Sequence, residues 1–136
     1  MLVLERAVRF EEVDAAGIVF FGRYPTYAHE AIEHFFAALE GGYARLINER
    51  KLGVPVVKLE VDYQHPLRFG DVLRIETEVE RLGGRSGVFG FRIFRKEPER
   101  LAASARITFV CANLERLESC DMPADVRALL ERHLRG

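Results

Sequence analysis

The 136-residue sequence is short of several things, and each shortage closes off a class of function. Charge of one sign is the first: 20 Lys and Arg stand against 21 Asp and Glu, and no long run of either appears. A nucleic-acid-binding protein needs a basic stripe to neutralise phosphates, so no nucleic-acid partner is expected. Cysteine is scarce too, with Cys111 and Cys120 in no CxxC spacing and with no histidine cluster beside them. Neither a disulfide framework nor a zinc site is indicated, and no metal is expected. Long apolar runs are missing: none approaches the roughly 20 residues of a membrane span, so no membrane partner is expected. No signal peptide is evident, which together with the sparse cysteines favours the cytoplasm. No internal repeat or low-complexity linker breaks the chain.

What is present is a hydrophobic fraction of 49%, enough to build one core, and the reading is a single domain over residues 1–136. "LVLERAVRF" reads as a strand that ends at Glu11 and Glu12, two acids expected to be solvated. A loop with Asp14 and Gly17 follows. Pro25 suits an early helix position, where its missing N–H does no harm. Tyr27, Ala31, Phe35 and Leu39 then recur at helical spacing, with Ala28, Ile32 and Phe36 beside them, so a long, well-buried helix is predicted. Gly41 and Gly42 end or kink it, and "YARLINERKLG" is a short helical or irregular connection.

Beyond Gly53 the period changes to two. Val57, Leu59, Val61 and Tyr63 alternate with Lys58, Glu60, Asp62 and Gln64, and Leu73, Ile75, Thr77 and Val79 alternate with Arg74, Glu76, Glu78 and Glu80. Gly83 and Gly84 turn the chain into "SGVFGFRIFRK", and "LAASARITFVCAN" follows Pro98. These hairpin-linked strands predict an antiparallel meander with one face for the helix and one for solvent. "MPADVRALLERHL" predicts a terminal helix that caps an edge or end. The class is α+β: an antiparallel sheet around a long helix.

The segment "VDAAGIVFFGRY" resembles the Asp-x-x-Gly motif of the hotdog-fold acyl-CoA thioesterases, in particular the hydroxybenzoyl-CoA and YbgC-type branch. The likeness extends through "GVPVVKLEVDYQHPLRFGDVLRIETEVERLGGRS" and covers nearly the whole chain. It implies a five-stranded antiparallel sheet wrapped around a central helix, an acyl-CoA substrate, no cofactor, and protomers paired as a homodimer or homotetramer with sites at their shared interface. The outer strand faces carry many charges and do not themselves advertise a large apolar interface.

For Asp14 the resemblance implies the catalytic carboxylate, as nucleophile or as general base to water; the residues do not choose between them. The Phe21 amide, by the same analogy, polarises the thioester carbonyl from the positive end of the helix. Gly17 admits backbone and ligand to close approach. Tyr24 and Tyr27 are placed in the acyl site, Val56 along the pantetheine channel, and Arg85 with Ser86 beside the coenzyme phosphates. Each has a plainer rival: Asp14 as a turn former, the tyrosines as core, Arg85 as a solvated turn residue. Arg23 stands where the motif commonly has Asn, and Phe21 where the YbgC-type branch often has His. Phe20 and Phe21 favour an apolar or aromatic acyl group. Rival functions are a hotdog enoyl-thioester hydratase or dehydratase, for which no histidine follows Asp14 in the loop, and a non-catalytic acyl-thioester binder.

Overall fold

A computed structural model describes residues 1–135. In chain order its elements are β1 (Leu2–Ala7), α1 (Tyr24–Phe36), α2 (Gly42–Asn48), the two-residue β2 (Leu52–Gly53), β3 (Val56–Tyr63), β4 (Val72–Leu82), β5 (Ser86–Arg95), β6 (Arg100–Val110), the short β7 (Ala112–Asn113) and β8 (Glu118–Ser119), and α3 (Ala124–Arg132). Two single 3-10 turns, Phe10–Glu12 and Phe21–Arg23, flank the Asp14 loop.

Period-two patterning gives an antiparallel sheet in the order β1-β4-β5-β6-β3, the five-stranded arrangement expected. Leu73, Ile75, Thr77 and Val79 of β4 face inward and are buried, in line with Phe89, Phe91 and Ile93 of β5 and Ala103, Ala105 and Ile107 of β6. The stripe of α1 fills the sheet's curl: Phe35 meets the Phe89 ring edge-on at 5.2 Å, and Ala28 and Ala31 let the helix sit close. Each large side chain removed from water here contributes roughly 1.5–3 kcal/mol.

The C-terminal segment does cap an edge. β1 pairs with β4 only as far as Thr77. Beyond it, the Val79 N–H donates to His133 O (3.0 Å) and Arg135 N–H to Val79 O (2.8 Å), so the tail after α3 takes over where β1 stops. Arg127 of α3 donates to the Gly83 and Gly84 carbonyls at the β4–β5 turn.

One expectation needs correction. Alternation in β3 implies one covered and one wet face, but α1 leaves much of this edge strand uncovered: Val57 is 64%, Leu59 45% and Tyr63 49% exposed. An apolar strip does lie open at the β3 edge, while the charges sit on the sheet's outer face. There Arg92 meets Glu76 (2.8 Å) and Arg106 meets Glu80 (3.1 Å). A concavity of about 720 Å³ over Gly90 on that face is walled by these paired charges and lies apart from the Asp14 loop.

Candidate active site

The Asp14 loop is a short hairpin closed on itself. Val13 and Val19 form an antiparallel bridge, Asp14 N–H donates to Ile18 O (2.8 Å), and Gly17 N–H donates to Asp14 O (2.9 Å). Ala16 N–H donates to Asp14 Oδ1 (2.8 Å), an Asx turn that fixes the carboxylate's direction. The side chain remains exposed, and Oδ2 has no partner within the described residues. Gly17 has a φ of +80°, a left-handed conformation that favours glycine, and no protein atom lies within 4 Å of where a Cβ would stand.

Beneath the loop stands Glu12, and here the expectation of a solvated acid is overturned: it is 3% exposed. Arg6 donates to both of its oxygens (3.1 and 2.8 Å), and Arg9 N–H (2.8 Å) and Tyr27 Oη (3.0 Å) donate to Oε1. Burial alone would raise this carboxyl's pKa, but the Arg6 guanidinium, the Arg9 amide and the Tyr27 hydroxyl together hold it below the usual carboxylate value. Arg6 Nε stands 3.1 Å from Glu30 Oε1 of α1, close enough to attract but misaligned for a hydrogen bond. Burial and the neighbouring Glu12 charge push the Tyr27 hydroxyl's pKa upward. Tyr27 is therefore corrected from a wall of the acyl site to a buried prop: no part of it is exposed in this chain, and its hydroxyl is spent on Glu12. Glu12 was missed because its partners Arg6 and Tyr27 are remote in sequence; the apolar spacing that buries Tyr27 was the only available hint.

The main chain of Glu12 ties this support to the other side of the loop, since Phe20 N–H donates to Glu12 O (2.9 Å). Arg23, the departure from the motif, donates from Nη2 to Glu11 O (3.0 Å) and so braces the same corner. The Phe21–Arg23 turn runs directly into α1, with Pro25 in the first turn. The Phe21 and Gly22 amides, which open this turn, have no acceptor among the described residues and carry the positive end of the helix. Tyr63 Oη of β3 donates to Phe21 O (2.8 Å) and pins the turn from the sheet side. The Phe21 ring is 65% exposed and packs on Phe20 at 4.6 Å. Tyr24 is buried and meets Tyr63 edge-on at 5.1 Å, so Phe20, Phe21, Tyr24 and Tyr63 form an aromatic border beside the loop.

Asp14, Gly17, Phe21 and Tyr24 are thus brought to one end of the sheet. Val56, Arg85 and Ser86 are not: Val56 begins β3 while Tyr63 ends it, a separation of roughly 23 Å at strand rise. Ser86 pairs with Val110, whose N–H donates to Pro55 O, at that far end. Arg85 Nε donates to Asp121 Oδ1 at 2.9 Å in a pair that is exposed to solvent on both sides. Of the histidines on α1, His29 stands 3.4 Å from Glu33 on the exposed side. Among the described residues no three metal-ligating side chains gather.

The sequence model of the thioesterase-like superfamily matches residues 8–130, and the chain belongs to that superfamily, with the hotdog fold. Among its relatives, a 1,4-dihydroxy-2-naphthoyl-CoA hydrolase of Prochlorococcus marinus (strain NATL2A) is 34% identical over 95% of this chain and 86% of its own length. The acyl-CoA thioesterase YbgC of Haemophilus influenzae is 27% identical over 89% of this chain and 88% of its own. A solved thioesterase-superfamily structure from Jannaschia sp. CCS1 superposes with a TM-score of 0.91 at 27% identity, covering 99% of this chain and 94% of that one.

Proposed function

We propose that the chain hydrolyses an acyl-CoA thioester with an aromatic or otherwise apolar acyl group to the free acid and coenzyme A. The observation that carries this reading is the presentation of Asp14: a fixed, exposed carboxylate with one free oxygen, opposite a helix-initial turn whose amides are unclaimed. Asp14 either takes a proton from water as it attacks the carbonyl carbon, or attacks that carbon itself to give a mixed anhydride that water then opens. In both routes negative charge grows on the carbonyl oxygen, and this reading assigns the unclaimed Phe21 amide as its donor. The thiolate of coenzyme A leaves and is protonated. The aromatic border at Phe20, Phe21 and Tyr63 supports the acyl preference, as does the naphthoyl substrate in the name of the Prochlorococcus marinus relative.

The site residues at the far end of β3 fit the same reading if two chains pair. An antiparallel pairing of two β3 edges about a two-fold axis sets Val56 and Arg85 of the partner subunit beside this chain's Tyr63 and Asp14. The open strip at Val57 and Leu59 supports a homodimer built this way, with a homotetramer formed from such pairs. Leu59→Arg on the strip is expected to give a monomer by sedimentation with activity lost, whereas a dimer that sediments unchanged refutes the β3 pairing. A cytoplasmic setting belongs to the same reading and is supported by the sparse cysteines of the sequence.

Thiol release from a panel of aromatic and aliphatic acyl-CoAs, measured for wild type and Asp14→Asn, tests the reading. The variant is expected to lose about 10³-fold in kcat, on the order of 4 kcal/mol of barrier. Equal rates for the two proteins would remove Asp14 from the chemistry.

A further inference from the structure

We infer that Cys120 and Cys111 form a redox-modification site: a hydroperoxide oxidises the Cys120 thiol, Cys111 resolves it, and the reversible disulfide that results clamps the two anchors of Arg85.

Both thiols are free, and their sulfurs are 3.8 Å apart. The hairpin that brings them together is local. Ala112 pairs with Ser119 and Asn113 with Glu118, so Cys111 and Cys120 stand opposite one another at the next position of the same register. Cys120 N–H donates to Cys111 O (2.9 Å), and the two side chains leave the hairpin on one face. Asn113 ties the tip: its Oδ1 accepts the Glu115 and Arg116 amides (2.9 and 3.1 Å), and its carbonyl accepts Leu117 N–H (2.8 Å). Opposed residues of antiparallel strands hold their Cα atoms about 4.5–5.5 Å apart, inside the roughly 4.4–6.8 Å that a disulfide spans. Closing the bond needs side-chain rotation rather than a new strand arrangement.

A buried free cysteine ordinarily behaves as a small, inert hydrophobe. Cys111 taken alone fits that description. It is fully buried, and burial, aided by the hydrogen bond with Cys120, pushes its thiol up to about 12, so it does not begin the reaction. Cys120 is only half-buried and is the thiol that a small oxidant can reach. Its sulfur attacks a peroxide oxygen, the O–O bond breaks, and Cys120 becomes a sulfenic acid while the other oxygen leaves with the thiol proton as alcohol or water. The Cys111 sulfur then attacks the Cys120 sulfur. The S–S bond forms, the S–O bond breaks, and hydroxide departs with the Cys111 proton as water. The two thiols have lost two electrons and two protons, and the hydroperoxide has taken them up. A dithiol reductant restores both thiols by exchange.

Arg85 is held from both sides of this pair. Cys111 N–H donates to Arg85 O (2.7 Å), and Asp121, which follows Cys120, accepts from Arg85 Nε (2.9 Å). A bond between Cys111 and Cys120 fixes these two anchors relative to one another and stiffens the turn that joins β4 to β5.

The test treats the folded protein with hydrogen peroxide and compares wild type with Cys111→Ala and Cys120→Ser. In wild type both free thiols should be lost together, and the mass of a single chain should fall by that of two hydrogens. Arg116 lies between the cysteines, so cleavage after arginine separates their peptides unless a disulfide joins them. Dithiothreitol should restore both thiols. Cys111→Ala is expected to stop at a Cys120 sulfenic acid that dimedone labels, and Cys120→Ser to leave Cys111 unmodified. Thiols that persist in wild type, disulfides formed only between chains, or irreversible oxidation of Cys120 with Cys111 still free overturn the site. Deuterium exchange of the Cys111 amide in wild type is expected to slow about tenfold on oxidation, and an unchanged rate overturns the clamp. None of these readouts uses a thioester, so their outcome is separate from that of the hydrolysis assay.

Discussion

Glu12 and Asp14 are the same functional group two residues apart, and the fold treats them in opposite ways. Glu12 is sealed under the loop with four hydrogen bonds to its two oxygens. Asp14 is offered to solvent with a single bond from the Ala16 amide. The 3-10 turn at Phe10–Glu12 makes the difference, because it swings Glu12 down toward Arg6 and α1 before the chain extends again at Val13. A carboxylate that is fully paired cannot act on a substrate, and one that is free cannot hold a loop. Spending one acid on structure leaves the other free for chemistry.

The contrast is open to attack from both sides. The largest effect expected is that of Asp14→Asn on turnover, given above, and its counterpart is silence in stability: the melting transition should move by no more than surface substitutions do, about 0.5 kcal/mol. A large loss of stability would mean that Asp14 holds the loop after all. Glu12→Ala is the reverse experiment. It leaves the buried Arg6 guanidinium with Glu30 alone as counter-charge and should cost about 3 kcal/mol in urea unfolding. Tyr27→Phe removes one bond to the same carboxylate and should cost about 1.5–3 kcal/mol, with the far smaller cost of a free hydroxyl arguing that Tyr27 is only core.

The smallest effect is in pH. Because Glu12 has a folded-state pKa below its unfolded value, its stabilisation is present above the ordinary glutamate value near 4.5 and is lost as pH falls through the lower folded value. Stability measured from neutral pH down into that acid range should therefore fall more steeply for wild type than for Glu12→Gln. Parallel curves would show that the pair contributes nothing that titrates.

Much of this was readable along the chain. The helix stripe from Tyr27 to Phe36 and the alternation in β4 each repeat a local period, and local periods report directly which face is apolar. The Asp14 loop was legible as a motif because its residues are consecutive. Three things were not. Glu12 was hidden beside Glu11, since its burial depends on Arg6 and Tyr27, brought in by β1 and α1. The exposure of Leu59 was hidden because alternation tells which side of a strand is apolar but not whether anything covers it. The pairing of Arg85 with Asp121 was hidden because Asp121 approaches from the far side of the β7–β8 hairpin. In each case the deciding partner comes from another element, and topology rather than pattern supplies it.

Val79 has one more use. Its N–H and C=O are the two groups of β4 that the tail, through His133 and Arg135, takes over from β1. The exchange of that single amide with deuterium therefore clocks the undocking of the tail alone, while its neighbours Thr77 and Ile75, in register with β1 and β5, wait for larger openings. One peptide group thus serves as a built-in gauge of whether the end of the chain is seated.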